Sequence, residues 1–372
     1  MTSVDQVDQL ESFLAQDPSN LSLVAEAVHA AVNAGQSERA RAILDRSRAA
    51  TVVDAPLRHL EATILLAEHR FPEACELLQG LLRDGADAPG VVFNLGYASM
   101  RAGDPVAGAQ QLQALLGRVD APAQTLAWLL RCHLHAGHPE HALEAWNAAA
   151  LEQRTPEAAG VASLACFDAG LADQARQLAD GALAGGDISL EPIVVRASLA
   201  LTDGEFANAE QLLARGRQVA PDDPRLRFTF GLSHLLRGQS AAANEEFRFA
   251  VTRQPRHAGG WIAFAWSSIF VGNLVEARSS LDTAMALDRN FAEAHGALAV
   301  VDALEGHREA ALEGIQRASR LDHGSMAWRY AQAVLDGVHH DAATLRGSVE
   351  SLMSSRPETA QFALLGRLRG PG

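Results

Sequence analysis

Lysine is missing from this chain of 372 residues, in which all 31 basic side chains are arginine. Its absence removes a P-loop lysine, a Schiff-base lysine and a protein-kinase lysine from consideration. Cysteine occurs three times, as Cys75, Cys132 and Cys166, too few and too scattered for a disulfide framework and suited to a reducing compartment. Aromatic residues make up 5% of the chain, while alanine is abundant. That mixture favours helix over strand and excludes most all-β folds. There is no run of 18 uncharged apolar residues, and the opening MTSVDQVDQLESF has no basic flank leading into an apolar stretch. Neither membrane insertion nor a secretory leader is therefore expected. With 48% hydrophobic residues the chain can bury a core, and a cytoplasmic location is the expectation.

The formal net charge is −14, which argues against nucleic acid as a partner because affinity for it comes mainly from neutralising phosphates. The charge is uneven. Residues 1–200 hold 25 acids against 13 Arg, and residues 201–372 hold 20 against 18. A basic partner would accordingly prefer the first half.

What the sequence does contain is a period. Glycine stands at 35, 103, 137, 170, 204, 238, 272 and 306, with His69 and His340 completing the ladder. All steps match the interval from Gly204 to Gly238 except Gly137 to Gly170, which falls one residue short and marks a one-residue deletion in the connection between units. Five residues beyond each rung but the last sits a small residue, at Ala40, Ala74, Gly108, Ala142, Ala175, Ala209, Ala243, Ala277 and Ala311, and the pattern fails only at Leu345. An apolar-periodic helix A runs up to each rung, where glycine accepts a left-handed conformation without a Cβ penalty. A short turn leads to helix B, whose small residue lets two backbones approach. Pro18, Pro221, Pro255 and Pro357 share one register and separate one helix B from the next helix A.

This unit resembles the tetratricopeptide repeat, a helix–turn–helix of the same length. The resemblance is strongest in repeat three (Val92, Leu95, Gly96, Gly108, Leu112), repeat seven (Phe230, Gly231, Ala243, Phe247, Ala250, Pro255) and repeat eight (Trp261, Phe264, Ala265, Ala277, Leu281, Ala284). The family's tyrosine at position 11 is lost throughout, its place taken by Ala31, Leu65, Ser99, His133, Cys166, Ala200, His234, Ser268 and Asp302. The resemblance implies an all-α, right-handed α-solenoid of about ten repeats with capping helices. Repeats start near 21, 55, 89, 123, 156, 190, 224, 258 and 292, with a degenerate tenth at 326–372 that ends in a helix near 358–368 carrying Arg367 and Arg369. The half repeat at 1–20 caps the other end. Repeats one to four (21–155) form the acidic half and repeats six to nine (190–325) the near-neutral half. Between them, at 156–189, repeat five offers Ala158, Ala159, Gly160, Ala162 and Ser163 on one helix and Ala179, Gly181 and Ala182 on the other. So little apolar area predicts a weak seam or hinge.

The resemblance also implies a peptide-binding groove lined by helix A at positions 2, 5, 6, 9, 12 and 13. Those positions supply Phe93, Asn94, Tyr97, Trp128, Arg131, His135 and Leu164 in repeats three to five, and Phe228, Leu232, Ile262 and Trp266 in repeats seven and eight. Met100, Phe167 and Ile269, at positions 12 and 13, read as core. Aromatic and arginine side chains are the types that dominate interface energy, so the expected partner is a protein or peptide segment with apolar anchors. In some relatives of this family a partner's terminal carboxylate is clamped by Lys, Asn and Arg. Here Asn94 and Arg131 occupy neighbouring positions and the lysines are absent.

The run CHLHAGHPEH at 132–141 gathers metal-type side chains but matches no recognised ligand spacing, and His339, His340 and Asp341 read as a solvated turn. No metal and no cofactor is assigned. Gly-x-Gly-x-x-Gly, Gly-x-Ser-x-Gly and EF-hand patterns are absent, so no catalytic residue is assigned and the chain is not expected to be an enzyme. A noncatalytic scaffold or adaptor follows. The alternatives are a dedicated chaperone or assembly factor of a bacterial secretion or pilus system and, behind it, a regulatory subunit of an enzyme.

Overall fold

The computed structural model describes residues 3–50 and 54–337. Among them are twenty α-helices, one short 3-10 turn and no strand. The first helix, α1 (Ser3–Leu14), precedes the paired helices and packs its Val7 and Leu14 into their first apolar cluster. Nine helix A–helix B pairs follow: α2 and α3 (Leu21–Asn33, Ser37–Ala50), α4 and α5 (Asp54–Ala67, Phe71–Arg83), α6 and α7 (Pro89–Arg101, Pro105–Leu115), α8 and α9 (Thr125–His135, Pro139–Ala148), and α10 and α11 (Pro156–Asp168, Ala172–Ala184). The remaining pairs are α12 and α13 (Leu190–Thr202, Phe206–Val219), α14 and α15 (Pro224–Leu236, Ser240–Arg253), α16 and α17 (Ala258–Phe270, Leu274–Leu287), and α18 and α19 (Ala292–Leu304, Arg308–Leu321). The tenth repeat is described as far as α20 (Ala327–Leu335). The expected final helix, Pro357 and the His339–His340–Asp341 turn lie outside the described residues. The fold is an all-α solenoid, divided into two compact units, Met1–Ala165 and Cys166–Gly372.

Local chemistry sets the helix ends. Pro89, Pro156 and Pro224 each open a helix A, where the missing N–H costs nothing. The Asp223 side chain accepts from the backbone N–H groups of Arg225 and Leu226, at 2.8 and 3.2 Å, and Asp104 accepts from Ala107 at 2.9 Å. Each satisfies a donor that the helix cannot. Every ladder glycine from Gly35 to Gly306 has positive φ, and His69 replaces glycine at φ 60°. The next residue then returns its N–H to the carbonyl five residues back, as in His138 N to His133 O and Asn273 N to Ser268 O, both 2.9 Å. That is the Schellman closure. Its acceptor in all nine repeats is the backbone carbonyl of position 11, so the turn survives whatever side chain replaces the tyrosine.

The small residue of helix B is buried in every repeat. A Cβ on Gly108 would lie 2.7 Å from the carbonyl oxygen of Gly96 and 3.1 Å from Cys132 Sγ, so α6 and α7 touch backbone to backbone. In repeat seven the same place beside Gly231 is filled by the Phe247 ring. Position 11 is filled by different groups from repeat to repeat, from buried Leu65 to hydrogen-bonded polar side chains. Ser268 donates to Phe264 O at 2.9 Å, and Asp302 accepts from Arg278 at 2.6 Å.

One helix A in the first unit starts late without breaking the glycine ladder. Residues 116–124 form a long connection, and helix A of repeat four begins at Thr125 rather than near 123. After α9 the chain makes the 3-10 turn Leu151–Gln153, and the Gln153 amide donates to Leu116 O at 2.7 Å, tying the two irregular connections together.

A second periodic device is charged. Arg41 pairs with Glu68, Arg176 with Asp203, Glu210 with Arg237, and Arg278 with Glu305. Each pair joins position 21 of one repeat to position 14 of the next. The polarity is reversed at Glu210–Arg237. These pairs are partly exposed and contribute under about 1 kcal/mol each.

Candidate functional site

Helix A of repeats two to four carries the site in the first unit. Phe93, Asn94, Tyr97 and Trp128 are partly exposed, and His135 is exposed at the end of α8. They fall on one side because positions 5, 6 and 9 lie within one turn of one another. Tyr97 and Trp128 meet edge to face, with centroids 4.6 Å apart, and the Tyr97 ring meets Phe71 at 6.2 Å. The Arg101 guanidinium lies 4.5 Å above the Phe71 ring and donates to the Tyr97 hydroxyl at 2.8 Å. The guanidinium of Arg131 lies 4.7 Å over the Trp128 ring and pairs with Glu157 at 2.6 Å. Each aromatic pair contributes about 0.5–1.5 kcal/mol and each exposed cation–π contact about 0.5–1 kcal/mol. The rings are thus held in place before any partner arrives.

These contacts change the reading of two residues. Arg131 keeps only 13% of its side chain exposed, stacked on Trp128 and paired with Glu157. Asn94 Nδ2 lies 3.0 Å from His59 Nε2. Both groups offered for a carboxylate clamp are therefore engaged within the chain. Burial pushes the His59 imidazole below its ordinary pKa, so its Nε2 is the neutral acceptor for the Asn94 amide. His59 and Glu157 were not singled out from sequence, although they sit at positions 5 and 2 of their repeats, where the same grid finds them.

Four other expected groove residues are corrected. Leu164, Leu232, Ile262 and Trp266 are all buried, none above 5% exposure. The physical reason in repeat eight is cover: Trp266 stacks on Phe270 at 5.8 Å and meets Tyr330 of α20 at 6.0 Å. Ile262 and Leu232 belong to the same apolar cluster. Phe228 is partly exposed but lies against Phe247 at 5.4 Å and His257 at 5.9 Å. Met100 and Ile269 are buried as expected, whereas Phe167 is partly exposed.

At the turn of repeat four, His133 is half-buried and His138 and His141 are exposed. Burial, with the two neighbouring histidines, pushes His133 below its ordinary pKa. The thiol of Cys132 behind it is pushed up to about 12 by burial, which makes it an inert packing group. The first unit thus presents partly exposed aromatic rings framed by guanidinium groups.

Among solved structures, the chain is similar to the Cut9–Hcn1 hetero-tetramer of the APC/C, with 15% identity over 90% of this chain and a TM-score of 0.63; it spans 66% of that chain's length. It is similar to the human IFIT1 dimer with PPP-AAAA, with 14% identity over 98% of this chain and 94% of that one, at a TM-score of 0.52. A tetratricopeptide repeat protein from Parabacteroides merdae aligns over 66% of this chain and 97% of its own, with 15% identity and a TM-score of 0.41. At these identities the likeness is one of fold. No protein-family model matches the sequence, and no curated protein matches it.

Proposed function

We propose that this chain, whose fold is that of the tetratricopeptide-repeat solenoids, is a noncatalytic interaction scaffold that grips a segment of a partner protein along helix A of repeats three and four. The observation that carries the reading is the partly exposed pair Tyr97 and Trp128, held edge to face, with the partly exposed Phe93 one turn before Tyr97 on the same helix. Buried aromatic anchors of a partner gain most from rings whose conformational entropy is already spent. Net charge −14 and the absence of lysine favour a protein partner with basic flanks over the phosphates of a nucleic acid, even though the human IFIT1 dimer was solved with PPP-AAAA. Three free cysteines fit a cytoplasmic setting.

The test is capture of partners from native cytosol by the full chain and by the variant Phe93→Ala/Trp128→Ala, at low and high salt. One dominant partner that survives salt and is lost with the variant, at unchanged helical content, supports the reading. Equal capture by both proteins overturns it and moves the interface off this face.

A further inference from the structure

Two clusters among the described residues gather three potential ligand atoms within 4.8 Å of one another: His138, Glu140 and His141, and Asp302, Glu305 and His307. The second already holds a cation, because Arg278 donates to Asp302 at 2.6 Å and to Glu305 at 2.5 Å. The first is built differently. Gly137, at φ 81°, reverses the chain, and the His138 N–H closes on the His133 carbonyl at 2.9 Å. Pro139 then starts α9, so His138 is its N-cap and Glu140 and His141 fall in its first turn. The spacing of three puts His138 and His141 on one side, with ring centroids 5.0 Å apart. His138 Nδ1 lies 3.1 Å from Glu140 Oε1. The reversal also folds back His133 from the last turn of α8, its ring 5.7 Å from that of His141. The change of chain direction, which in sequence separates these histidines, is what assembles them.

We propose that His138, Glu140 and His141, with His133 as a fourth side chain, form a zinc site at the inter-helix turn of repeat four. Three imidazoles and one carboxylate are a donor set of the kind zinc takes, at about 2.0–2.2 Å from each ligand atom. Ligand atoms on one tetrahedral ion lie about 3.3 Å apart on those bond lengths, so the exposed His138, Glu140 and His141 close on one ion by side-chain rotation, with the half-buried His133 completing the set from α8. The positive end of α9 opposes a dication, and Glu140, with Glu144 one turn on, supplies compensating charge. Bound zinc would pin the α8–α9 turn at the C-terminal end of the helix that carries Trp128 and Arg131.

Calorimetric titration of the full chain with zinc chloride tests the proposal directly, and visible absorption of the cobalt-loaded protein reports the geometry. The expected result is one equivalent bound, with affinity weakened at least about tenfold in His138→Gln/His141→Gln and in Glu140→Gln. The turn variant His234→Gln in repeat seven should bind as the parent does. Circular dichroism guards against misfolding, and these exposed positions tolerate substitution. No zinc uptake, or uptake unchanged in the repeat-four variants, overturns the site. Because the titration needs no partner, its outcome is independent of the scaffold reading.

Discussion

Position 9 of helix A is tyrosine in repeat three and tryptophan in repeat eight, and the two have different fates. Tyr97 is partly exposed, its ring flanked by Trp128 and Phe71 with Arg101 bonded to its hydroxyl. Trp266 is 5% exposed, covered by Phe270 and Tyr330. Position 5 repeats the contrast, with Phe93 partly exposed and Ile262 fully buried. The same register therefore builds an accessible face in repeat three and core in repeat eight. What decides is not the residue type but what stands over it. Arginine lies against the rings in repeats three and four, and apolar side chains cover them in repeat eight.

The contrast can be broken most sharply by truncating the two tryptophans. Trp266→Ala should destabilise the chain by about 3–5 kcal/mol, measured as a shift in urea unfolding. Trp128→Ala should cost about 1–2 kcal/mol, the worth of its Tyr97 and Arg131 contacts. Because Trp266 Nε1 is buried with no hydrogen-bond partner, Trp266→Phe should cost far less than Trp266→Ala. Equal costs at positions 128 and 266 would erase the distinction between face and core.

A smaller effect concerns repeat five, which we propose as the weak seam. In α11 the buried side chains are Ala175, Ala179 and Ala182, whereas α13 buries Leu212 and Leu213. Since burial is worth roughly 25 cal/mol per Å², amides of α11 should exchange with deuterium faster than those of α13. Equal protection would place the seam elsewhere.

The smallest effect is on pH dependence. In the second unit the His257 ring Nδ1 accepts from Gly260 N at 2.9 Å as the N-cap of α16. Burial first, and Arg225 second, hold its pKa below the ordinary value. In the first unit burial does the same to His59. A depressed histidine favours the neutral native state, so its contribution is fully present above about pH 6.5 and is lost as the pH falls below that. The urea midpoint should decline between pH 7.5 and 5, and less steeply in His257→Asn, which keeps a capping oxygen. An unchanged slope would show that the cap does not titrate.

The repeat was legible because its signals are backbone requirements. Glycine at positive φ and a small residue where helices touch recur at one spacing regardless of what surrounds them. Proline at helix starts is read in the same way. The site was legible only in part. Spacing identifies the face of helix A that Trp128 and Trp266 share, but exposure depends on neighbours such as Tyr330, which belongs to the second repeat after that of Trp266. Periodicity does not encode that cover. The position 21 to position 14 ion pairs were readable in principle, as an arginine–acid interval that recurs from repeat to repeat, but the alternation of sign at Glu210–Arg237 hides them from a search for one residue type. The histidine cluster at repeat four was visible as a run, yet its convergence depends on the turn geometry at Gly137.

The most direct test of the central claim is a photo-crosslinking amino acid placed at position 93 and, in a second protein, at position 228, each irradiated in native cytosol. The account predicts a discrete protein adduct from position 93 that disappears with Trp128→Ala, and none from position 228, where Phe228 packs against Phe247 and His257. An adduct at 228 alone, or one at 93 indifferent to Trp128, would contradict it.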